Sequence, residues 1–246
     1  MRLLLINPNT TPAITDRVLA VARAAASPGV RLAAVTGRFG GRYIADRATY
    51  AIAGHAALDA LASYPGRYDA VVLACFGDPG LLALKEVCPR PVVGMAEASL
   101  ALAITLGRRV ALVTGGEAWV PMLEEFVAAQ GLSHRLAAVL AVAPTGADIA
   151  RDPEGSLALL AEAVSDAVQR CGADVVVLGG AGLAGLAAPL AARVAVPVLD
   201  SVVCAIRMAE AVAGQPRGHR PGHRGGVKST ETVGLSAPLR DFLRRR

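Results

Sequence analysis

The chain has 246 residues, 54% of them hydrophobic, enough to bury one large core or two small ones. The apolar residues come in short blocks cut by Gly, Pro and charges, well short of the roughly 18 uninterrupted residues of a membrane span. The formal charge of +5 is a tail property, with eight Lys/Arg against two acidic residues at 217–246, so the nearly neutral body excludes a nucleic-acid or membrane-surface partner as the expectation.

The opening MRLLLINPNT is too short for a secretory leader and reads as a first strand. Aliphatic runs then alternate with Ala/Leu-rich stretches of helical period, the pattern of a parallel sheet with crossover helices. Strands are predicted at 2–7, 30–36, 69–75 and 91–94, and helices at 11–26, 51–63, 79–87 and 96–106. The series restarts with strands at 109–114, 136–143, 174–179 and 196–199 and helices at 117–130, 154–171, 182–193 and 201–213.

Three segments recur in the same order. LLLINPNT (3–10) matches VALVTGGE (110–117), DAVVLAC (69–75) matches DVVVLGG (174–180), and RPVVGMAEA (90–98) matches VPVLDSVVC (196–204). Repetition at a nearly constant offset predicts an α/β fold of two pseudo-symmetric subdomains, each a four-stranded parallel sheet flanked by helices. We expect the first at 1–97 and the second at 98–200. A connecting helix at 201–214 and a Pro/Gly/Arg-rich linker at 215–228 follow, and 229–246 is expected to dock back on the first half. The site is expected in the cleft between the subdomains, where the carboxyl ends of both sheets meet.

Cys75, Cys88, Cys171 and Cys204 show no paired spacing, which favours a reduced, cytoplasmic setting over disulfides or structural zinc. His219 and His223 are separated by Pro221 and Gly222 and lack carboxylate or thiol company, so no metal site is expected. No phosphate-binding glycine motif opens a helix, so no nucleotide cofactor is expected either.

Cys75 ends a predicted strand and is followed by Phe76, Gly77, Asp78 and Pro79. With Asp78 as N-cap and Pro79 in the first turn, the helix dipole would lower the thiol's pKa and fit it for proton transfer or nucleophilic attack. The alternative is a small buried hydrophobe. Asn9 and Thr10 of the first half and Thr114, Gly115 and Gly116 of the second occupy matching strand-to-helix loops that suit a carboxylate or imide. Asn-Pro-Asn-Thr equally reads as an Asx turn with a cap. Glu97 is either a site carboxylate or an ordinary first-turn Glu. Tyr43 follows a Gly pair in a long loop, expected to act as a lid or specificity segment over the cleft.

INPNT (6–10), ACFGDPG (74–80), GMAEA (94–98) and LGGAGLAG (178–185) resemble the aspartate/glutamate/hydantoin racemase superfamily, nearest its hydantoin racemase branch, over about residues 1–213. The resemblance implies a two-subdomain α/β fold, no cofactor, a small-molecule substrate, a homo-oligomer, and two cysteines flanking the substrate Cα. Cys75 matches the first. The second falls in a motif that reads LGCAG in typical members, and here that position is Gly180, followed by Ala181 and Gly182. Of the remaining thiols only Cys204 could approach, and a buried helix position explains it more simply; Cys171 ends a helix on the wrong side of its strand. The implied function is a cofactor-independent racemase or epimerase of an amino acid or cyclic amide, with Cys75 as one acid/base and water or Glu97 as the other. A single-thiol decarboxylase on the same fold and a non-catalytic small-acid binding protein are the alternatives.

Overall fold

The computed structural model describes residues 1–142, 152–215 and 231–244. One parallel sheet contains β1 (Arg2–Asn7), β2 (Arg31–Thr36), β3 (Ala70–Leu73) and β4 (Val92–Gly94) in the order β2-β1-β3-β4. The other contains β5 (Val110–Thr114), β6 (Leu136–Ala141), β7 (Val175–Gly179) and β8 (Val198–Asp200) in the order β6-β5-β7-β8. The second order is the first displaced by four strands, as the repeat requires.

The strands are continuous aliphatic runs because both faces of each sheet are covered. Side chains alternate between those faces. Leu3, Leu5, Val72 and Val93 of the first sheet share one core with Leu112, Val175 and Val177 of the second. Leu4, Ile6, Val71 and Leu73 turn to an outer layer under α2 (Arg47–Ser63) and α3 (Leu81–Val87). Ala111, Val113, Val176 and Leu178 turn to another under α6 (Pro153–Cys171) and α7 (Ala187–Ala191).

Two helices cross between the halves. Helix α4 (Met95–Leu106) leaves β4 and packs on β7 of the second sheet, while α8 (Ser201–Ala213) leaves β8 and packs on β3, β4 and α1 (Pro12–Ala25) of the first. They also pack on each other. The shared core is therefore closed by exchanged helices. Helix α5 (Trp119–Ala129) covers β6, and α9 (Ala237–Arg244) lies on α2, with Leu239 buried and Phe242 packed against the outer core. Most of the linker expected at 215–228, with His219 and His223, lies outside the described residues.

Several predicted elements differ in their bounds from those observed, and three of the differences reshape the loops. Helix α2 begins at Arg47 rather than 51, because Asp46 and Thr49 form a reciprocal capping box. The preceding loop is shorter accordingly. The helix predicted at 182–193 is only a 3-10 turn, Ala181–Leu183, and the five-residue α7; Gly185 at φ 87° separates them. Helix α3 begins at Leu81 with Gly80, not Asp78, at its N-cap.

Candidate active site

The loops that follow β2, β3, β5 and β7 converge where the carboxyl ends of the two sheets meet. The ring of Phe76 lies against the backbone of Gly179, well inside the distance at which a Cβ there would need room. This contact joins the Cys75 loop to the loop carrying Gly180. Across the same seam, Trp119 Nε1 donates to the carbonyl of Ile44 at 3.0 Å.

Cys75 lies two residues beyond β3, half-buried and packed against the shared core. Asp78 N–H donates to its carbonyl at 3.1 Å, and Asp78 itself adopts φ 56°, an uncommon conformation for a residue other than glycine. The Asp78 side chain does not cap α3 as the sequence suggested. It accepts hydrogen bonds from Ala96 N at 3.0 Å and Glu97 N at 2.8 Å, at the start of α4.

The surroundings of Cys75 do not favour the expected lowering of its pKa. Burial pushes Cys75 above its ordinary value, and the neighbouring Asp78 carboxylate pushes in the same direction. Burial likewise raises Asp78 to about 7, against the backbone hydrogen bonds that favour its charged form. Tyr50, which donates its hydroxyl to Gly77 O at 2.7 Å, rises to about 12 through burial and through the proximity of Asp78 and Cys75.

The Asn-Pro-Asn-Thr segment is a tight polar knot. Asn7 Nδ2 donates to Asn9 Oδ1 and Thr15 Oγ1, both at 2.9 Å, and Thr11 N donates to Asn9 Oδ1 at 2.9 Å. Asn9 is thus an Asx-turn residue through its oxygen, while its Nδ2 has no acceptor among the described residues. Thr10 gives both its N–H and its hydroxyl to Gly41 O. Thr114 ends β5 and is buried, followed by exposed Gly115 and by Gly116 at φ 87°. Among the described residues, the N–H groups of Phe76, Gly77, Gly115 and Gly116 also lack an acceptor.

Other expected residues are placed differently. Tyr43 is exposed, and its loop reaches the second half through the Ile44 carbonyl rather than through the Tyr43 ring, while Gly41 holds the loop to Thr10 of the first half. Glu97 forms an ion pair with Lys85. Gly182 O accepts from Arg17 Nη1 at 3.0 Å, which ties the 181–183 turn to α1. Gly180 adopts φ 116°, ψ 148°, and nothing lies within 4 Å of the point where its Cβ would be. Cys204 is buried on α8, its thiol bonded with Ser99 of α4 and pushed to about 11 by burial. It is a helix-packing residue. Among the described residues no group of His, Cys, Asp and Glu is arranged to hold a metal ion, and no helix is long and apolar enough to cross a membrane.

Tyr50 and Trp119 at this seam were not singled out from sequence. Each sits inside a helical run, and only the rarity of tryptophan, one in the chain, marked either of them.

Two like-ordered parallel sheets, joined at their carboxyl ends around a cysteine loop and a glycine loop, define the racemase-type α/β fold. The model of the Asp/Glu/hydantoin racemase family matches residues 3–209, and the chain belongs to that family. It is 34% identical to the hydantoin racemase of Pseudomonas sp. (strain NS671) over 86% of each chain. It is 35% identical to the hydantoin racemase of Paenarthrobacter aurescens, over 86% of this chain and 91% of that one. Among solved structures, allantoin racemase from Klebsiella pneumoniae superposes with a TM-score of 0.85 at 32% identity, covering 97% of this chain and 98% of its own. Arylmalonate decarboxylase, at 20% identity and a TM-score of 0.61, shares the fold, covering 91% of this chain and 97% of its own.

Proposed function

We propose that this protein is a cofactor-independent isomerase that moves the α-proton of a hydantoin-type cyclic amide, with Cys75 as the acid/base on one face. The observation that carries the reading is the position of Cys75 beyond β3, at the seam where Phe76 meets Gly179. The hydantoin and allantoin racemases to which the chain is similar supply the substrate class.

The chemistry follows from the groups around the thiol. Cys75, once it has given its own proton to solvent, takes as thiolate the proton from the Cα next to the carbonyl, forming S–H and an enolate. The N–H groups of Phe76, Gly77, Gly115 and Gly116, which lack an acceptor among the described residues, are with the Asn9 amide suited to an imide or enolate oxygen. Return of the same proton restores the starting enantiomer. Inversion needs a proton on the opposite face, where Gly180 offers no side chain and Glu97 is engaged with Lys85. We assign that proton to water, the Cys75 proton then passing to solvent so that the balance closes.

The missing thiol also supports a second reading, a decarboxylase that protonates an enolate from one face only. Both readings are tested by following optical rotation of single enantiomers of allantoin and of 5-substituted hydantoins, and carbon dioxide release from arylmalonates, with wild type and Cys75→Ser. Loss of rotation that depends on Cys75 supports the isomerase. Carbon dioxide release without loss of rotation would replace it by the decarboxylase.

A further inference from the structure

Trp119 belongs to the second half by sequence and to the first by its contacts. It opens α5, and its Nε1 bonds the Ile44 carbonyl across the seam. Its Cζ3 lies 2.7 Å from the point where a Cβ on Gly77 would stand. The same ring meets Tyr50 edge-on, with centroids 6.2 Å apart and planes at 73°. Tyr50 in turn holds the Gly77 carbonyl through its hydroxyl.

Gly77 is two residues past Cys75 and adopts φ 115°, a path open to glycine and closed by the indole to any side chain. The peptide after the thiol is therefore gripped from both halves, by the indole of the second against its Cα and by the Tyr50 hydroxyl of the first on its oxygen. An exposed ion pair, Arg47 with Glu125, also joins α2 to α5, and at the surface it adds little.

We propose that Trp119 is a positioning residue for Cys75, acting through Gly77 and Tyr50, so that the second half sets the surroundings of the thiol carried by the first. This rests on the reading of Cys75 as the reacting group. Removing the indole opens the loop to water, and water relieves the burial that pushes the Cys75 thiol up. Removing the Tyr50 hydroxyl frees the Gly77 carbonyl while leaving both rings.

The test is the rate of Cys75 alkylation by iodoacetamide, from about pH 7 to about pH 11, in the full chain. Wild type, Trp119→Phe, Trp119→Ala and Tyr50→Phe are compared, with the labelled cysteine identified by peptide mass spectrometry and folding checked by thermal melting. Trp119→Ala should shift the profile down by about one pH unit, so that alkylation near pH 8 is about tenfold faster. Tyr50→Phe should give about a threefold increase, and Trp119→Phe, which keeps a ring against Gly77, should stay within about threefold of wild type. Profiles of folded Trp119→Ala and Tyr50→Phe that superimpose on wild type would overturn the proposal. If Trp119→Ala does not fold, an unchanged Tyr50→Phe profile overturns it alone. No substrate enters this measurement, so its outcome is separate from the success or failure of the isomerase reading.

Discussion

The carboxylate of Asp78 occupies the space in which a side chain on Gly94 would begin, and from there it accepts the N–H groups of Ala96 and Glu97. In the second half the residue matching Gly94 is Asp200, and its own carboxylate accepts from Val202 N at 2.8 Å and Val203 N at 3.3 Å. The two halves therefore cap equivalent helices with a carboxylate in the same place, delivered from the loop after β3 in one half and from the end of β8 in the other. The exchange predicts a compensating pair. Asp78→Ala should lower unfolding free energy by about 1–2 kcal/mol, the range for a lost cap. Gly94→Asp alone should also destabilise, by crowding a second carboxylate onto the first. The double variant Asp78→Ala/Gly94→Asp should recover most of the loss, since Gly94 (φ −79°, ψ 144°) already has a backbone close to that of Asp200 (φ −87°, ψ 124°). Urea denaturation of the four proteins gives the coupling directly.

Asp78 also predicts how stability follows pH. Its folded pKa is raised, to about 7 from an ordinary 3.8, so between those values the folded state binds more protons than the unfolded one. Its contribution is fully present below about pH 4 and is lost as pH rises through about 7. Asp78→Asn should remove that fall. The comparison is the difference in denaturation midpoint between wild type and Asp78→Asn at a series of pH values. A difference that does not vary across this window would place Asp78 in a more solvated setting than its burial indicates.

Helix α9 is fixed to the first half by Leu239, which is 1% exposed, and by Ser236, whose hydroxyl donates to the buried Asp59 that also receives Arg38. Leu239→Ala should cost about 2–4 kcal/mol, the range for a buried leucine. A loss below about 0.5 kcal/mol, the scale of a surface substitution, would show that α9 undocks at little cost.

Gly180 stands where the proposed reading would place a second thiol, and it bears on that reading in two ways. The space around its Cα is open, yet φ 116°, ψ 148° is a conformation that only glycine adopts freely. Gly180→Cys therefore meets backbone strain of about 1–3 kcal/mol, visible as a lower melting temperature, before it supplies a second acid. Where the loop adjusts, the added thiol should raise inversion relative to proton exchange. Gly180→Ala should show the same strain without the catalytic gain.

The fold was legible because it rests on repetition and on strands buried on both faces, features that a run such as LLLIN or VVVLG states locally. The restart at 110 announced the second sheet, whereas nothing in the sequence indicates that α4 and α8 trade sheets. Cys75 and the glycine loops were legible as strand ends. The surroundings of the thiol were not, because they depend first on its burial in the assembled core and then on Asp78 turning away from its own helix to cap α4, a contact between residues 18 and 19 positions apart. Helix α2 was predicted to start four residues late because the Asp46/Thr49 box was not read as an N-terminus.

The most direct measurement follows allantoin or a 5-substituted hydantoin of one hand in heavy water, with deuterium entry at Cα read by NMR and inversion read by chiral chromatography. Rates are taken above the protein-free reaction. If Cys75 moves the proton on one face and water serves the other, wild type should exchange faster than it inverts, and Cys75→Ser should do neither. Exchange that survives in Cys75→Ser at the wild-type rate would contradict the assignment of Cys75. Exchange and inversion at equal rates in wild type would instead show a second protein acid/base opposite the thiol.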